Sequence, residues 1–233
     1  MDKAKKYTTI VWDLDGTLMD SLQDLHDAVN YGLTACNMPL RTMAETKQSV
    51  GNGVRRLMVL SVPDGEANPR FEEAFAAFKT YYVAHCEDHT RPYAGIEETL
   101  HRLKDTGYRM ALVSNKLQAG VDELYRTWFA DTIAIAVGDS PAMRRKPEPD
   151  MVYEALARMG VERESAVYVG DSEVDVMTAR NAGLPCISVL WGYREKAFLL
   201  TQGAKHFATT PDEIPALLVR ITSVPLKSGV VKY

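Results

Sequence analysis

The amino-acid sequence predicts an α/β fold: a parallel sheet covered by helices, with an all-helical block inserted after the first strand. Three observations carry this expectation. From Ile96 onward, short apolar runs alternate with helical segments of about ten or more residues, the pattern of a parallel sheet buried on both faces. No strand signal interrupts the chain between Asp20 and His89. The apolar runs end in polar residues (Asp13 and Asp15, Ser114 and Asn115, Gly170 and Asp171), as they should if a site lies beyond the carboxyl ends of parallel strands.

Each element has its own local justification. Thr8-Thr9-Ile10-Val11-Trp12 is apolar and β-branched, as a buried strand requires. Asp20 or Ser21 can cap a helix reaching about Cys36, with Leu22, Leu25, Val29 and Leu33 on one face. Pro39 ends it. Thr42–Val50 reads as a short helix, Gly51-Asn52-Gly53 as a turn, and Val54 to Met58 as the start of another helix. Phe71 to His85 reads as a long helix whose Phe71, Phe75, Phe78 and Tyr82 stripe is packing within the block. Beyond Arg91, a helix from Ile96 to Thr106 stops at Gly107, and a strand from Tyr108 to Val113 ends at Ser114-Asn115. A helix Leu117–Phe129, a strand-like Thr132–Val137 and a loop Gly138–Pro147 follow. Pro149 opens a helix to Met159. Ala166–Val169 is a strand, Val174–Asn181 a helix and Cys186–Leu190 a strand. Weaker helices are expected at Arg194–Thr201 and Asp212–Ile221, and Ser223 to Tyr233 reads as a loosely held tail. The sum is a Rossmann-like core at residues 1–18 and 90–233, with an all-helical cap at residues 19–89.

Bulk properties narrow the classes of function. The 233 residues suit one large domain or a domain with an insertion, and 46% hydrophobic with 25% charged residues is ordinary for a globular protein. A net charge of −4 gives no electrostatic case for nucleic acid or an anionic membrane. No apolar run approaches the length of a bilayer span, and the charged N-terminus precedes no signal core, so a cytoplasmic location is expected. Cys36, Cys86 and Cys186 are too few and too scattered for a disulfide framework.

The strand-end residues suggest a chemistry. Residues two apart on an extended segment point the same way, so Asp13 and Asp15 should converge as the first strand runs out. Like charges that close require a compensating cation, donor or shared proton. If Asp171 and Asp175 join them, the all-oxygen cluster favours a hard cation such as Mg²⁺, and the lack of His and Cys argues against zinc. Lys146 would add positive charge for a phosphate, and Ser114 a hydroxyl donor. A carboxylate can attack phosphorus to form an aspartyl phosphate. Asp13 is placed for that attack, and Asp15 for moving the proton of the leaving oxygen and then of water.

The motifs then resemble a known family. Asp13-Leu14-Asp15-Gly16-Thr17-Leu18, Val113-Ser114-Asn115, Lys146-Pro147-Glu148-Pro149 and Gly170-Asp171-Ser172-Glu173-Val174-Asp175 are similar, in order, to the four motifs of the haloacid dehalogenase superfamily phosphohydrolases. The helical insert resembles a subclass I cap. The resemblance implies Asp13 as nucleophile and Asp15 as acid/base, and Mg²⁺ held by the Asp13 carboxylate, the Asp15 carbonyl and Asp171, with Asp175 in support. It implies Ser114, Asn115 and Lys146 around the phosphate and Thr17 fixing the loop. Trp12 stands where the family usually has Phe, which alters packing below the site. Val50-Gly51-Asn52-Gly53, Arg91-Pro92-Tyr93-Ala94-Gly95, Ser114-Asn115-Lys116 and Trp191-Gly192-Tyr193 look like phosphoglycolate phosphatases in particular. Gly51 and Asn52 are accordingly candidates for substrate contact.

The expected activity is Mg²⁺-dependent hydrolysis of a small phosphorylated metabolite, with 2-phosphoglycolate favoured, by a monomer or homodimer. Alternatives are a phosphosugar mutase, a pyrophosphatase, or a receiver-like module phosphorylated on Asp without turnover. Arg55 and Arg56 read as solvated helix charges, and His85-Cys86-x-x-His89 lacks the second ligand pair of a metal site.

Overall fold

The computed structural model describes residues 7–221, so the tail expected at Ser223–Tyr233 lies outside the described residues. β1 (Thr9–Trp12) is followed by the two-residue β2 (Met19–Asp20) and four helices: α1 (Leu22–Ala35), α2 (Met43–Ser49), α3 (Gly53–Ser61) and α4 (Phe71–His85). The chain returns through β3 (Arg91–Pro92) and continues into α5 (Ile96–Asp105), β4 (Arg109–Leu117) and α6 (Gln118–Leu124). β5 (Ile135–Asp139), α7 (Asp150–Met159), β6 (Ala166–Gly170), α8 (Glu173–Ala182) and β7 (Cys186–Val189) follow, then α9 (Lys196–Thr201), β8 (His206–Ala208) and α10 (Ile214–Ile221).

Six strands form one parallel sheet in the order β5-β4-β1-β6-β7-β8. The chain builds outward from β1 on one side through β4 and β5, then crosses to build β6, β7 and β8 on the other. β1 is therefore the switch point, where α/β sheets open a crevice. Its four residues are all buried and alternate between two cores. Ile10 and Trp12 pack with Ile96, Leu100, Leu124 and Leu218 from α5, α6 and α10. Val11 packs with Met151, Val152 and Ala155 of α7 and Ala179 of α8. The apolar strands of the sequence are thus explained by helices on both faces.

The helical block has its own core, in which Leu25, Val29 and Leu33 of α1 meet Phe71 and Phe78 of α4 and Leu57 and Met58 of α3. Thr42 caps α2 through a reciprocal capping box with Glu45. β2 and β3 pair antiparallel where the chain leaves and re-enters the sheet-bearing part, Met19 opposite Pro92 and Asp20 opposite Arg91. This ribbon and β8 escape the sequence reading because two or three residues cannot display a period. Two further boundaries differ. β4 runs on through Ser114, Asn115 and Lys116 instead of ending at Val113, and the helix expected to Phe129 loosens into a wide turn at Tyr125–Phe129. Ser21 precedes α1 but makes no capping bond; its hydroxyl is used elsewhere. Cys36, Cys86 and Cys186 are free thiols, and no helix among the described residues is long and apolar enough to cross a membrane.

Candidate active site

The strand ends of β1, β4 and β6 meet the helical block around a cavity of about 50 Å³. Asp13, Asp15, Ser114, Asn115, Lys146 and Asp171 all line it, from motifs more than 150 positions apart at the extremes. The end of β1 is fixed by the Asp13 N–H, which donates to the Val169 carbonyl of β6 at 2.9 Å. Gly16 then turns with φ +91°, a conformation that favours glycine. A Cβ on Gly16 would lie 2.6 Å from Asp171 Oδ2, so the turn also lets the β1 loop pass close to that carboxylate.

Lys146 organises the floor. Its Nζ donates to Asp13 Oδ1 at 2.5 Å, Asp175 Oδ1 at 2.8 Å and the Tyr168 hydroxyl at 3.2 Å. An ammonium has three donors, and each has an acceptor. Asp175 Oδ2 accepts from the Ser172 N–H and hydroxyl at 3.0 and 2.6 Å, forming the capping box of α8. Both Asp175 oxygens are therefore engaged by protein donors. Gly170 makes room for this, since a Cβ there would lie 2.7 Å from Asp175 Oδ2. Asp171 Oδ2 accepts the Tyr193 N–H at 2.6 Å.

The charges do not balance within the floor. Burial, then Asp175, pushes the Asp13 carboxyl up to about 7, against the pull of Lys146. Burial, with Asp175 and Asp13 nearby, pushes Asp171 well above the carboxylate range. Burial opposes ionisation of Asp175 as well, but Lys146 and Ser172 outweigh it and hold its carboxyl low. Burial disfavours charge on Lys146 too; Asp13 and Asp175 overcome it and keep the ammonium protonated. Oxygens of Asp13, Asp171 and Asp175 lie within 4.8 Å of one another. Crowded carboxylates of this kind, all oxygen donors and two of them resisting ionisation, suit a hard divalent cation.

The remaining predicted residues fall into place unevenly. Thr17 is fully buried and its hydroxyl donates to Asp13 Oδ2 at 3.2 Å, so it braces that carboxylate from behind. Ser114 Oγ accepts the Lys116 N–H at 3.1 Å and borders the cavity. Asn115 is committed to backbone: its Oδ1 accepts the Lys146 N–H at 2.9 Å, and its Nδ2 donates to the Lys146 and Gly51 carbonyls at 3.1 and 3.2 Å. It fixes Lys146 and ties it to the helical block. Gly51 lines the cavity, whereas Asn52 faces a separate open cleft of about 880 Å³ beside Arg56 and Arg144. His85 and His89 pair with different carboxylates, Asp88 at 2.8 Å and Asp24 at 2.9 Å, and do not converge.

Several contributors escaped the sequence reading. Ser21 donates to Asp15 Oδ1 at 2.6 Å and meets the Tyr193 hydroxyl at 3.1 Å. The Trp191 indole donates to the Thr17 carbonyl at 2.9 Å. The Trp191-Gly192-Tyr193 triplet is therefore a brace on the loop after β1. Tyr82 packs within the block, stacked on Phe78 as the stripe predicts, and its hydroxyl also reaches the cavity and hydrogen-bonds the buried Lys116 ammonium. Arg194 donates to the Lys47 and Val50 carbonyls at 2.9 and 2.7 Å and to Glu173 at 2.8 Å, joining α8 to the end of α2.

A parallel sheet with an acidic cluster at its switch point, a buried lysine and a helical roof is the arrangement of an α/β enzyme whose site lies at the strand ends. Residues 10–189 match the family model for haloacid dehalogenase-like hydrolases, and the chain belongs to that family. It is similar to phosphoglycolate phosphatase 1 of Pseudomonas aeruginosa, 34% identical over 225 residues that cover 90% of this chain and 75% of the relative. It is also 32% identical to a phosphoglycolate phosphatase of Xanthomonas campestris, over 79% of this chain and 84% of the relative. Among solved structures, a candidate phosphoglycolate phosphatase from Lactobacillus delbrueckii superposes with a TM-score of 0.87 at 31% identity, over 91% of this chain and 98% of that one. As a member of that hydrolase family the protein is an enzyme, which sets aside the receiver-like alternative.

Proposed function

We propose that the protein is a Mg²⁺-dependent phosphatase that hydrolyses 2-phosphoglycolate through an aspartyl phosphate on Asp13. The observation that carries this reading is the Lys146 ammonium at 2.5 Å from Asp13, in a cavity that also holds Asp15 and Asp171. The phosphoglycolate phosphatases among the relatives support the choice of substrate.

Asp13, Asp171 and the Asp15 carbonyl would hold Mg²⁺, with Asp175 keeping Lys146 in line. The bound ion would supply positive charge to the phosphate oxygens and let Asp13 stay ionised beside them. Ser114 donates to the phosphate, and Lys146 gives it a fixed positive charge. Asp13 attacks phosphorus as the bond to the leaving oxygen breaks, and Asp15 gives that oxygen a proton. Asp15 then takes a proton from water as the water oxygen attacks the aspartyl phosphate, which releases phosphate and restores Asp13. Residues 19–89 act as a cap that excludes water during transfer.

Phosphate release from 2-phosphoglycolate tests the proposal. Turnover is expected with Mg²⁺, to be lost in EDTA, and to vanish in Asp13→Asn. Full activity in that variant would remove Asp13 from the role of nucleophile. Isomerised sugar phosphate in place of free phosphate would make the protein a mutase, and preferential cleavage of pyrophosphate would make it a pyrophosphatase.

A further inference from the structure

The two buried lysines of the cavity are not equivalent. Every donor of Lys146 is taken, by Asp13, Asp175 and Tyr168. Lys116 is as well buried, 6% exposed against 4% for Lys146, yet among the described residues its ammonium hydrogen-bonds only to the neutral hydroxyl of Tyr82. Its nearest carboxylate is Asp15 Oδ1 at 3.5 Å, well beyond a charge-assisted hydrogen bond, and that oxygen already receives the Ser21 hydroxyl at 2.6 Å. Asp15 keeps the ammonium charged against burial from this distance, but an ammonium has three donors and Tyr82 takes one, so an anionic acceptor can still join it. The roof offers none: apart from Tyr82, its side chains on this cavity include Leu25, Val54 and Leu57, all apolar.

The location of Lys116 has a chemical meaning. In the proposed reaction Asp13 marks the phosphorus and Asp15 marks the oxygen that leaves. Lys146 stands beside the first aspartate and Lys116 beside the second. The leaving alcohol must therefore extend toward Lys116 and Tyr82. In a glycolate leaving group the carboxylate carbon is two bonds from the ester oxygen, close enough to follow it there.

We propose that Lys116 and Tyr82 form the subsite for a carboxylate on the leaving group and so set the enzyme's preference for a phosphomonoester whose leaving group is anionic over one whose leaving group is uncharged. This rests on the phosphomonoesterase reading above. Lys116 comes from β4 and Tyr82 from α4, so the subsite is complete only when the helical block sits on the sheet. Recognition of the second anion and exclusion of water then depend on the same closure.

The test compares 2-phosphoglycolate with ethyl phosphate, which keeps the ester and lacks the carboxylate, using the full chain and Mg²⁺. The readout is the ratio of kcat/KM for the two substrates. Lys116→Met is expected to lower that ratio about 50-fold, the scale of one lost charged hydrogen bond. Tyr82→Phe, which removes one oxygen and keeps the ring, is expected to lower it about fivefold, and Lys116→Arg to restore most of it. If Lys116→Met does not fold, Tyr82→Phe carries the test alone. Equal losses on both substrates would mean that the pair only supports Asp15 or the fold, and would overturn the subsite. A native enzyme with no preference for phosphoglycolate would overturn it too, while leaving the phosphomonoesterase reading intact. Hydrolysis of neither ester would defeat that reading itself.

Discussion

The floor and the roof of the cavity are built on opposite principles. The floor, at the ends of β1, β4 and β6, is a buried network in which Lys146, Asp13, Asp175, Tyr168 and Ser172 satisfy one another. The roof, from α1, α3 and α4, is apolar and joined to the floor at a few polar points: Asn115 to Gly51, Lys116 to Tyr82, and Arg194 to the end of α2. Networks of buried charge are intolerant of change, because removing one partner strands the others. Apolar contacts under a roof lose little when they slide. The division therefore assigns fixed chemistry to the sheet and adjustable closure to the helices, and substitutions in the two regions should fail in different ways.

Lys146→Met should have the largest effect and sharpen the contrast most. It leaves Asp13 and Asp175 buried without their cation and removes a positive charge from the phosphate. We expect kcat to fall about 10³-fold and stability to fall by about 3–5 kcal/mol. Steady-state kinetics and a urea melt measure the two together. A variant that keeps native stability would show that the network is held by something other than this lysine.

The same contrast explains what could be read from the sequence. The floor's aspartates, Lys146 and Ser172 were legible because they occur in short contiguous motifs that topology alone brings together, whereas Tyr168, inside β6, carried no such signal. The partners of Asn115 were not, because its acceptors and donor are backbone groups of Lys146 and Gly51, 31 and 64 positions away. Tyr82 was hidden inside a helical stripe with Phe71, Phe75 and Phe78, since periodicity registers which face is apolar and not where a hydroxyl ends. Lys116 carried two signals, its place in the Ser114-Asn115-Lys116 triplet and a cation following two polar residues toward the end of an apolar strand. Ser21 is one of two capping candidates for α1, with Asp20, yet its hydroxyl bonds Asp15, because a side chain that can cap a helix can equally serve a carboxylate across the ribbon.

Asp24 tests the joint between the regions. It lies in α1 and is 3% exposed, and it accepts from the Thr90 N–H and hydroxyl at 2.8 and 2.6 Å and from the His89 N–H at 3.0 Å. Burial works against its ionisation, but these hydrogen bonds prevail and hold its carboxyl below the usual range. Asp24→Ala strands buried donors at the point where the helical block ends, and we expect a loss of about 3 kcal/mol. The pH dependence has a definite sign. Between the folded and unfolded pKa values the unfolded chain binds the extra proton, so stability rises with pH. The contribution is complete above about pH 4, the ordinary carboxylate value, and is lost as pH falls through the lower folded value. Asp24→Asn should flatten that acid limb in melts recorded between pH 2 and 5. An unchanged limb would assign acid sensitivity to other groups.

Arg194 should give a smaller and different failure. Its guanidinium holds the Lys47 and Val50 carbonyls of the helical block and Glu173 of the floor, at a helix end where a cation is favoured. Arg194→Ala removes a tether across the two regions without touching Lys146 or the aspartates. We expect about a tenfold loss in kcat/KM, roughly one charged hydrogen bond, with little change in melting. A stability loss as large as that of Lys146→Met would place Arg194 in the floor's network and blur the distinction between floor and roof.

The two tryptophans nearest the site offer the finest test. Trp12 is fully buried beneath the floor, and its indole N–H has no hydrogen-bond partner among the described residues. Trp191 is half-buried, and its N–H holds the Thr17 carbonyl behind Asp13. Replacing Trp12 by Phe leaves a cavity, which costs about 1–3 kcal/mol, but removes a stranded donor whose burial costs about the same. The net change should be within about 1 kcal/mol of zero. Trp191→Phe has less cavity to leave and gains no such relief, because it gives up a real hydrogen bond. It should cost about 1 kcal/mol and lower kcat as the loop around Asp13 loosens. Paired melts and kinetics decide the order. If Trp12→Phe proved the more damaging of the two in kcat, packing under β1 would govern the position of Asp13 more than the Trp191-Gly192-Tyr193 brace does.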